Sequence, residues 1–140
     1  MTRRVNVIGV GMTKFTKPGD PKGQDYHLMG ADAARIALKD AGIEYSEVQQ
    51  AWTGYVYGDS CCGMRALYEV GQTGIPIFNV NSNCSTGSSA LFAAQQAVAS
   101  GCLLYISYAA SQADAINTGG RAIVKNTTLK HKQLKHKSEN

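Results

Sequence analysis

The chain has 140 residues, enough for one domain with a real core and too few for two. Hydrophobic residues make up 44% and charged residues 17%, which fits a globular chain and excludes a disordered one. The +4 net charge arises at one end: residues 1–124 hold nine Lys/Arg against nine Asp/Glu, whereas residues 125–140 hold five Lys and one Glu. A neutral body gives no footprint for a nucleic-acid partner. No run approaches the roughly 20 apolar residues that a membrane helix needs.

Val5 to Val10 is short and β-branched, and reads as a buried strand. Gly11 to Gly23, rich in Gly, Pro and Lys, reads as a loop. Leu28 to Ala41 then turns helical, with Met29, Ala33, Ile36, Ala37 and Ala41 on one face and Gly42 as its C′ residue. Ala51 to Tyr57 alternates as a second strand, and Met64 to Val70 reads as a short helix. Ile75 to Val80 is a third strand, Thr86 to about Ser100 a helix of small residues, and Leu103 to Ser107 a fourth strand. Strands alternating with helices predict an α/β domain with a mixed, mainly parallel sheet and helices on its faces. The domain is expected to occupy residues 1–110. Residues 111–140 read as a polar, basic tail, disordered from 125.

The four cysteines, Cys61, Cys62, Cys84 and Cys102, show no CxxC spacing, and Met1-Thr2-Arg3-Arg4 is not a secretory signal. Free thiols in a reducing, intracellular compartment are expected. Cys84 stands out. It lies where an apolar strand meets a helix of small residues, beyond the polar turn Asn81-Ser82-Asn83. A thiol at a helix start faces unpaired backbone N–H groups and the positive end of the helix dipole, and both favour the nucleophilic thiolate. Such a residue suits covalent acyl transfer, with N–H groups stabilising the oxyanion. A buried, inert cysteine at a helix start is the competing reading.

Four separated motifs bear on that choice. They are Val7-Ile8-Gly9-Val10-Gly11-Met12-Thr13-Lys14-Phe15, Gly54-Tyr55-Val56-Tyr57-Gly58-Asp59-Ser60, Gly74-Ile75-Pro76, and the run from Asn79 to Ser88 that contains Asn83-Cys84-Ser85-Thr86-Gly87. In this order they resemble the N-terminal part of a thiolase, of the type fused in sterol carrier protein X, over residues 3–101. The resemblance implies an incomplete thiolase-fold half-domain and makes Cys84 the acyl-accepting nucleophile. It also implies thiolytic cleavage of a 3-oxoacyl-CoA in peroxisomal oxidation of fatty acids and sterol side chains. Coenzyme A would be a substrate, with no tightly bound cofactor, and the partner a second copy or a full-length thiolase subunit.

Several features depart from the family. Its activating His in a Gly-His-Pro motif, second catalytic Cys and oxyanion-hole His lie in its C-terminal half. Here the histidines are His27, His131 and His136, neither of the last two precedes Pro, and Cys102 precedes Leu-Leu. The chain alone is therefore expected to be a poor or inactive thiolase. The sequence diverges after about Gly101, as a truncated isoform, an alternative transcript end or an incomplete gene model would each produce, and Tyr68-Glu69-Val70-Gly71 is about one residue short. Ser138-Glu139-Asn140 does not resemble the family's peroxisomal tripeptide, which leaves a cytoplasmic location open.

Other sites are weaker. Gly9-Val10-Gly11 lacks the third glycine of a dinucleotide loop. Cys61 and Cys62 with His27 do not match zinc spacing, so no metal is expected. Trp52, Tyr55 and Tyr57 read as core and interface residues. Two rival functions remain, a non-catalytic isoform that binds full-length thiolase subunits and a lipid or nucleic-acid binder using the basic tail.

Overall fold

A computed structural model describes residues 4–16, 20–101, 103, 105–111 and 120–126 of the chain. Strand β1 (Val5–Met12) places Gly9 and Gly11 against helix α1 (Tyr26–Ala41). A Cβ at either glycine would collide with α1 backbone at Ala37 or Ala33, so their bare backbone sets how closely helix and strand pack. Val10 and Met12 alternate with the glycines and point the other way, and they and Val7 are each more than half exposed. The strand read as buried is an edge strand that meets α1 through glycine, with Ile8 and Val5 packing as partly buried side chains. Its outer amide at Val10 donates to Asp40 Oδ2 on α1 at 2.9 Å.

Asp25 begins α1 by accepting the Tyr26 N–H at 2.7 Å, two residues earlier than the apolar pattern predicts. Gly42 ends it in the left-handed conformation (φ 67°), and its N–H is given to the Leu38 and Lys39 carbonyls. A 3₁₀ turn (Tyr45–Glu47) leads to β2 (Gln50–Tyr55), followed by α2 (Cys62–Tyr68) and β3 (Ile77–Val80). A second 3₁₀ turn (Asn83–Ser85) opens α3 (Thr86–Ala99), which is followed by β4 (Tyr105–Ser111) and β5 (Gly120–Asn126).

The sheet order is β1-β5-β4-β2-β3. Strands β3, β2 and β4 run parallel, and β5 is antiparallel to both β4 and β1. Four strands therefore point one way and β5 the other, which gives the expected mixed α/β sheet. Helices α1 and α2 cover one face and α3 the other. Ala51 and Trp52, neighbours on β2, show the division: Ala51 packs with Ala34 and Leu67, and Trp52 packs with Ala94 and Val98.

The sequence reading draws no strand beyond Ser107 and assigns residues 111–140 to a tail. That is corrected at Gly120–Asn126, which forms β5 between β1 and β4, with Ile123 buried between Ala37, Leu38 and Val48. Lys125 and Asn126, expected in the disordered tail, pair with Asn6 and Val5. The Ala122-Ile123-Val124 pattern is too short and too closely flanked by Arg and Lys to announce a strand. Two neighbouring strands supply the pairing that local composition does not. The expectation for 127–140, including His131 and His136, lies outside the described residues.

Candidate active site

The turn that carries Cys84 is closed by its own polar side chains. After β3, Ser82 takes an irregular conformation (φ −141°, ψ 38°) and Asn83 enters the left-handed region at φ 48°. Asparagine tolerates that region better than most residues with a Cβ. The Ser85 N–H donates to the Ser82 carbonyl at 3.1 Å, and the Ser85 hydroxyl adds a second bond there at 2.8 Å. In the other direction the Ser82 N–H donates to Thr86 Oγ1 at 2.7 Å, and Thr86 Oγ1 lies 3.4 Å from the Tyr55 carbonyl at the end of β2.

Cys84 thus sits in a 3₁₀ turn two residues ahead of α3, rather than in the first turn of the helix itself. Its thiol is free and exposed. Ser85, the N-cap of α3, makes no side-chain capping bond, so no side-chain cap occupies the positive end of the helix beside the cysteine. An exposed thiol beside such a helix end can take up an acyl group, and the helix N–H groups can hold the charge that develops.

Two contacts, one beneath this turn and one on the far face of the sheet, were not anticipated from the sequence. Gly54 on β2 lies directly under Thr86; a Cβ there would collide with Thr86 Cγ2. Asn79 on β3 turns to the opposite face, where its Oδ1 accepts the Gly63 N–H at 2.9 Å and lies 3.2 Å from Thr53 Oγ1. The alternation of β2 and β3 was legible, but which small or polar residue meets which helix depends on tertiary register.

His27 is not brought to Cys84. It packs in the α1–α2 layer, with Nδ1 3.3 Å from Asp25 Oδ2 and Nε2 3.9 Å from Glu69 Oε1. The first contact is close enough for an ion pair but lacks hydrogen-bond alignment. Arg65 lies over the Tyr26 ring and 3.5 Å from Asp59. Cys61 is exposed in a left-handed conformation (φ 62°), whereas Cys62 is buried. Burial pushes the Cys62 thiol up from 9.0 to about 11, outweighing the backbone hydrogen bonds that act the other way. Among the described residues no three His, Cys, Asp or Glu side chains gather to hold a metal ion. Cys102 lies outside the described residues. An open groove of about 460 Å³ lies beside β3, lined by Tyr45, Tyr68, the loop Gly71–Gly74, Ile75 and Ile77, and Cys84 is not on its wall.

Residues 5–106 match the family model of the thiolase N-terminal domain. The chain belongs to the thiolase family. It is 56% identical over 98 residues to the non-specific lipid-transfer protein-like 2 of Caenorhabditis elegans, covering 70% of this chain and 24% of that protein. It is 54% identical over 110 residues to Homo sapiens sterol carrier protein 2, covering 76% of this chain and 20% of that protein. The chain thus spans a quarter or less of the length of these relatives. Among solved structures, a priming β-ketosynthase from the R1128 polyketide pathway superposes with a TM-score of 0.74 at 19% identity. That match covers 90% of this chain and 51% of the other, and shows that this thiolase domain shares its fold.

Proposed function

We propose that this thiolase domain serves the thiolytic cleavage of a 3-oxoacyl-CoA, with Cys84 as the acyl acceptor. The observation that carries the reading is an exposed, free thiol held in the Asn83–Ser85 turn immediately ahead of α3, whose N-cap Ser85 makes no side-chain capping bond. In the proposed reaction the Cys84 thiolate attacks the 3-oxo carbonyl and forms the sulfur–carbon bond. The bond between C2 and C3 breaks, its electron pair passes to the departing acyl-CoA carbanion, and a proton quenches it. The thiolate of a second CoA then attacks the thioester, carries away the shortened acyl group and returns Cys84 to its starting state.

Among the described residues, activation is the weak step. The one histidine among the described residues, His27, faces Asp25 and Glu69. General-base assistance contributes about 10²–10⁴-fold, so turnover by this chain alone is expected to be slow. The test is intact-mass measurement after incubation with a 3-oxoacyl-CoA, with Cys84→Ser as control. A Cys84-dependent acyl adduct that CoA removes supports the reading; its absence confines the relationship to ancestry. The resemblance that underlies the reading also directs it to the peroxisome, which import of a tagged chain would check.

The edge position of β3 favours a second reading, association with a thiolase subunit. Phe78 is 41% exposed on that strand, and β2 is its one strand neighbour among the described residues. Co-purification with a full-length thiolase, lost on Asn79-adjacent substitution Phe78→Lys, supports this reading; a monomer with full turnover opposes it.

A further inference from the structure

The geometry points to Thr86 as the positioning residue for Cys84: its hydroxyl, not its bulk, holds the nucleophile turn in register with β2. This rests on the acyl-acceptor reading of Cys84 and adds to it a residue that touches no substrate.

Thr86 is 2% exposed, one of two buried polar residues among those described. A buried hydroxyl is costly without partners, and this one has two. Oγ1 accepts the Ser82 N–H at 2.7 Å and donates toward the Tyr55 carbonyl at 3.4 Å. The first bond holds Ser82 through its N–H, while the bonds of Ser85 hold the same residue through its carbonyl. The second ties that closed turn to the end of β2. Gly54 makes the contact possible, because any Cβ at that position would occupy the space of Thr86 Cγ2. Three elements, β2, the turn and α3, therefore converge on one side chain placed two residues from the sulfur.

The left-handed Asn83 gives the clamp something to hold. Asn83 at φ 48° lies in the left-handed region, which a residue with a Cβ keeps only where its surroundings hold it there. Without the Thr86 bond the Ser82 N–H loses its partner, and the turn is freed to relax from that conformation. The thiol would then leave its place ahead of α3. Misplacement of a reacting atom by about 1 Å can cost about 10²-fold in rate.

The experiment compares Thr86→Val, which keeps the shape and removes the hydroxyl, with Thr86→Ser, which keeps the hydroxyl. Two quantities are read on the full chain by peptide mass: acyl transfer to Cys84 from a 3-oxoacyl-CoA, and the Cys84-to-Cys61 ratio of iodoacetamide alkylation. In Thr86→Val acyl transfer should fall at least tenfold and the alkylation ratio at least threefold. Thr86→Ser should keep both within about threefold of the parent. An unchanged alkylation ratio in Thr86→Val overturns the inference, and so does a Thr86→Ser chain that behaves like Thr86→Val. If Thr86→Val does not fold, the Thr86→Ser ratio decides alone: a native ratio supports the hydroxyl role and an altered one overturns it. A parent chain that takes no acyl group removes the acyl-acceptor reading, while the alkylation ratio still decides the role of Thr86.

Discussion

Asn79 Oδ1 accepts the backbone N–H of Gly63 at 2.9 Å, so a side chain of β3 fixes the start of α2. The same oxygen lies 3.2 Å from Thr53 Oγ1 on β2, which is itself 3% exposed. One amide thus joins two parallel strands to the helix that crosses between them. Asn79→Ala leaves the Gly63 N–H without that acceptor and should cost about 1–3 kcal/mol. Gly63→Ala should cost at least as much despite the better helix propensity of alanine, since its Cβ would overlap Thr53 Oγ1. Urea denaturation of the two variants checks both. A Gly63→Ala chain as stable as the parent would show that α2 can shift away from the sheet.

Cys62 gives a pH dependence with a definite sign. Its thiol is raised from 9.0 to about 11 by burial, helped by Asp59 and Cys61 and opposed by the Gly63 and Cys62 backbone groups. The folded state therefore prefers the protonated thiol more than the unfolded chain does. That contribution to stability is complete below about pH 9 and is lost as pH rises through about 11. Denaturation midpoints measured from pH 8 to pH 11.5, on the order of half a unit apart, should fall across that window and fall less in Cys62→Ala. Alkylation should follow the same division: exposed Cys61 and Cys84 react in the folded chain, and Cys62 only when the pH approaches 11 or the chain unfolds.

Gly42 supplies a local test of the α1 boundary. Its φ of 67° lies in the left-handed region, and nothing would contact an added Cβ, so space is not the constraint. Gly42→Ala should therefore cost about 1 kcal/mol through backbone strain alone. Gly42→Asn should cost less, because asparagine tolerates the same region. Thermal melts of the two variants would show the order, and equal losses would contradict it.

These positions also show what the sequence discloses. Asp25, Gly42 and the β3–Cys84–α3 junction act through neighbours in the chain, so their signals are local and their elements were legible within a few residues. The Asn83-Cys84 motif was equally visible, since it is contiguous. Gly54, Gly63 and Asn79 act through residues 10–32 positions away, and nothing near them marks which element they will meet. Strand β5 is the extreme case, because one of its two partners, β1, lies at the other end of the chain. Its burial of Ile123 follows from sheet order, which composition does not encode.

Strand β1 reverses the usual ranking of valine over glycine, and this can be measured. Val10 is 58% exposed, whereas a Cβ on Gly11 would run into the Ala33 carbonyl and the Ala37 amide of α1. Val10→Thr should therefore change stability by no more than about 0.5 kcal/mol, as for other surface positions. Gly11→Ala forces α1 away from the sheet and should cost about 1–3 kcal/mol, a penalty normally associated with overpacking a core. Because α1 also carries Asp40, whose Oδ2 accepts the Val10 N–H, the displaced helix should expose that amide. Hydrogen exchange at Val10 should then accelerate in Gly11→Ala and stay slow in Val10→Thr. Equal stability losses in the two variants, with Val10 exchange unchanged, would mean that β1 is held by side chains on its exposed face and not by the glycine contact with α1.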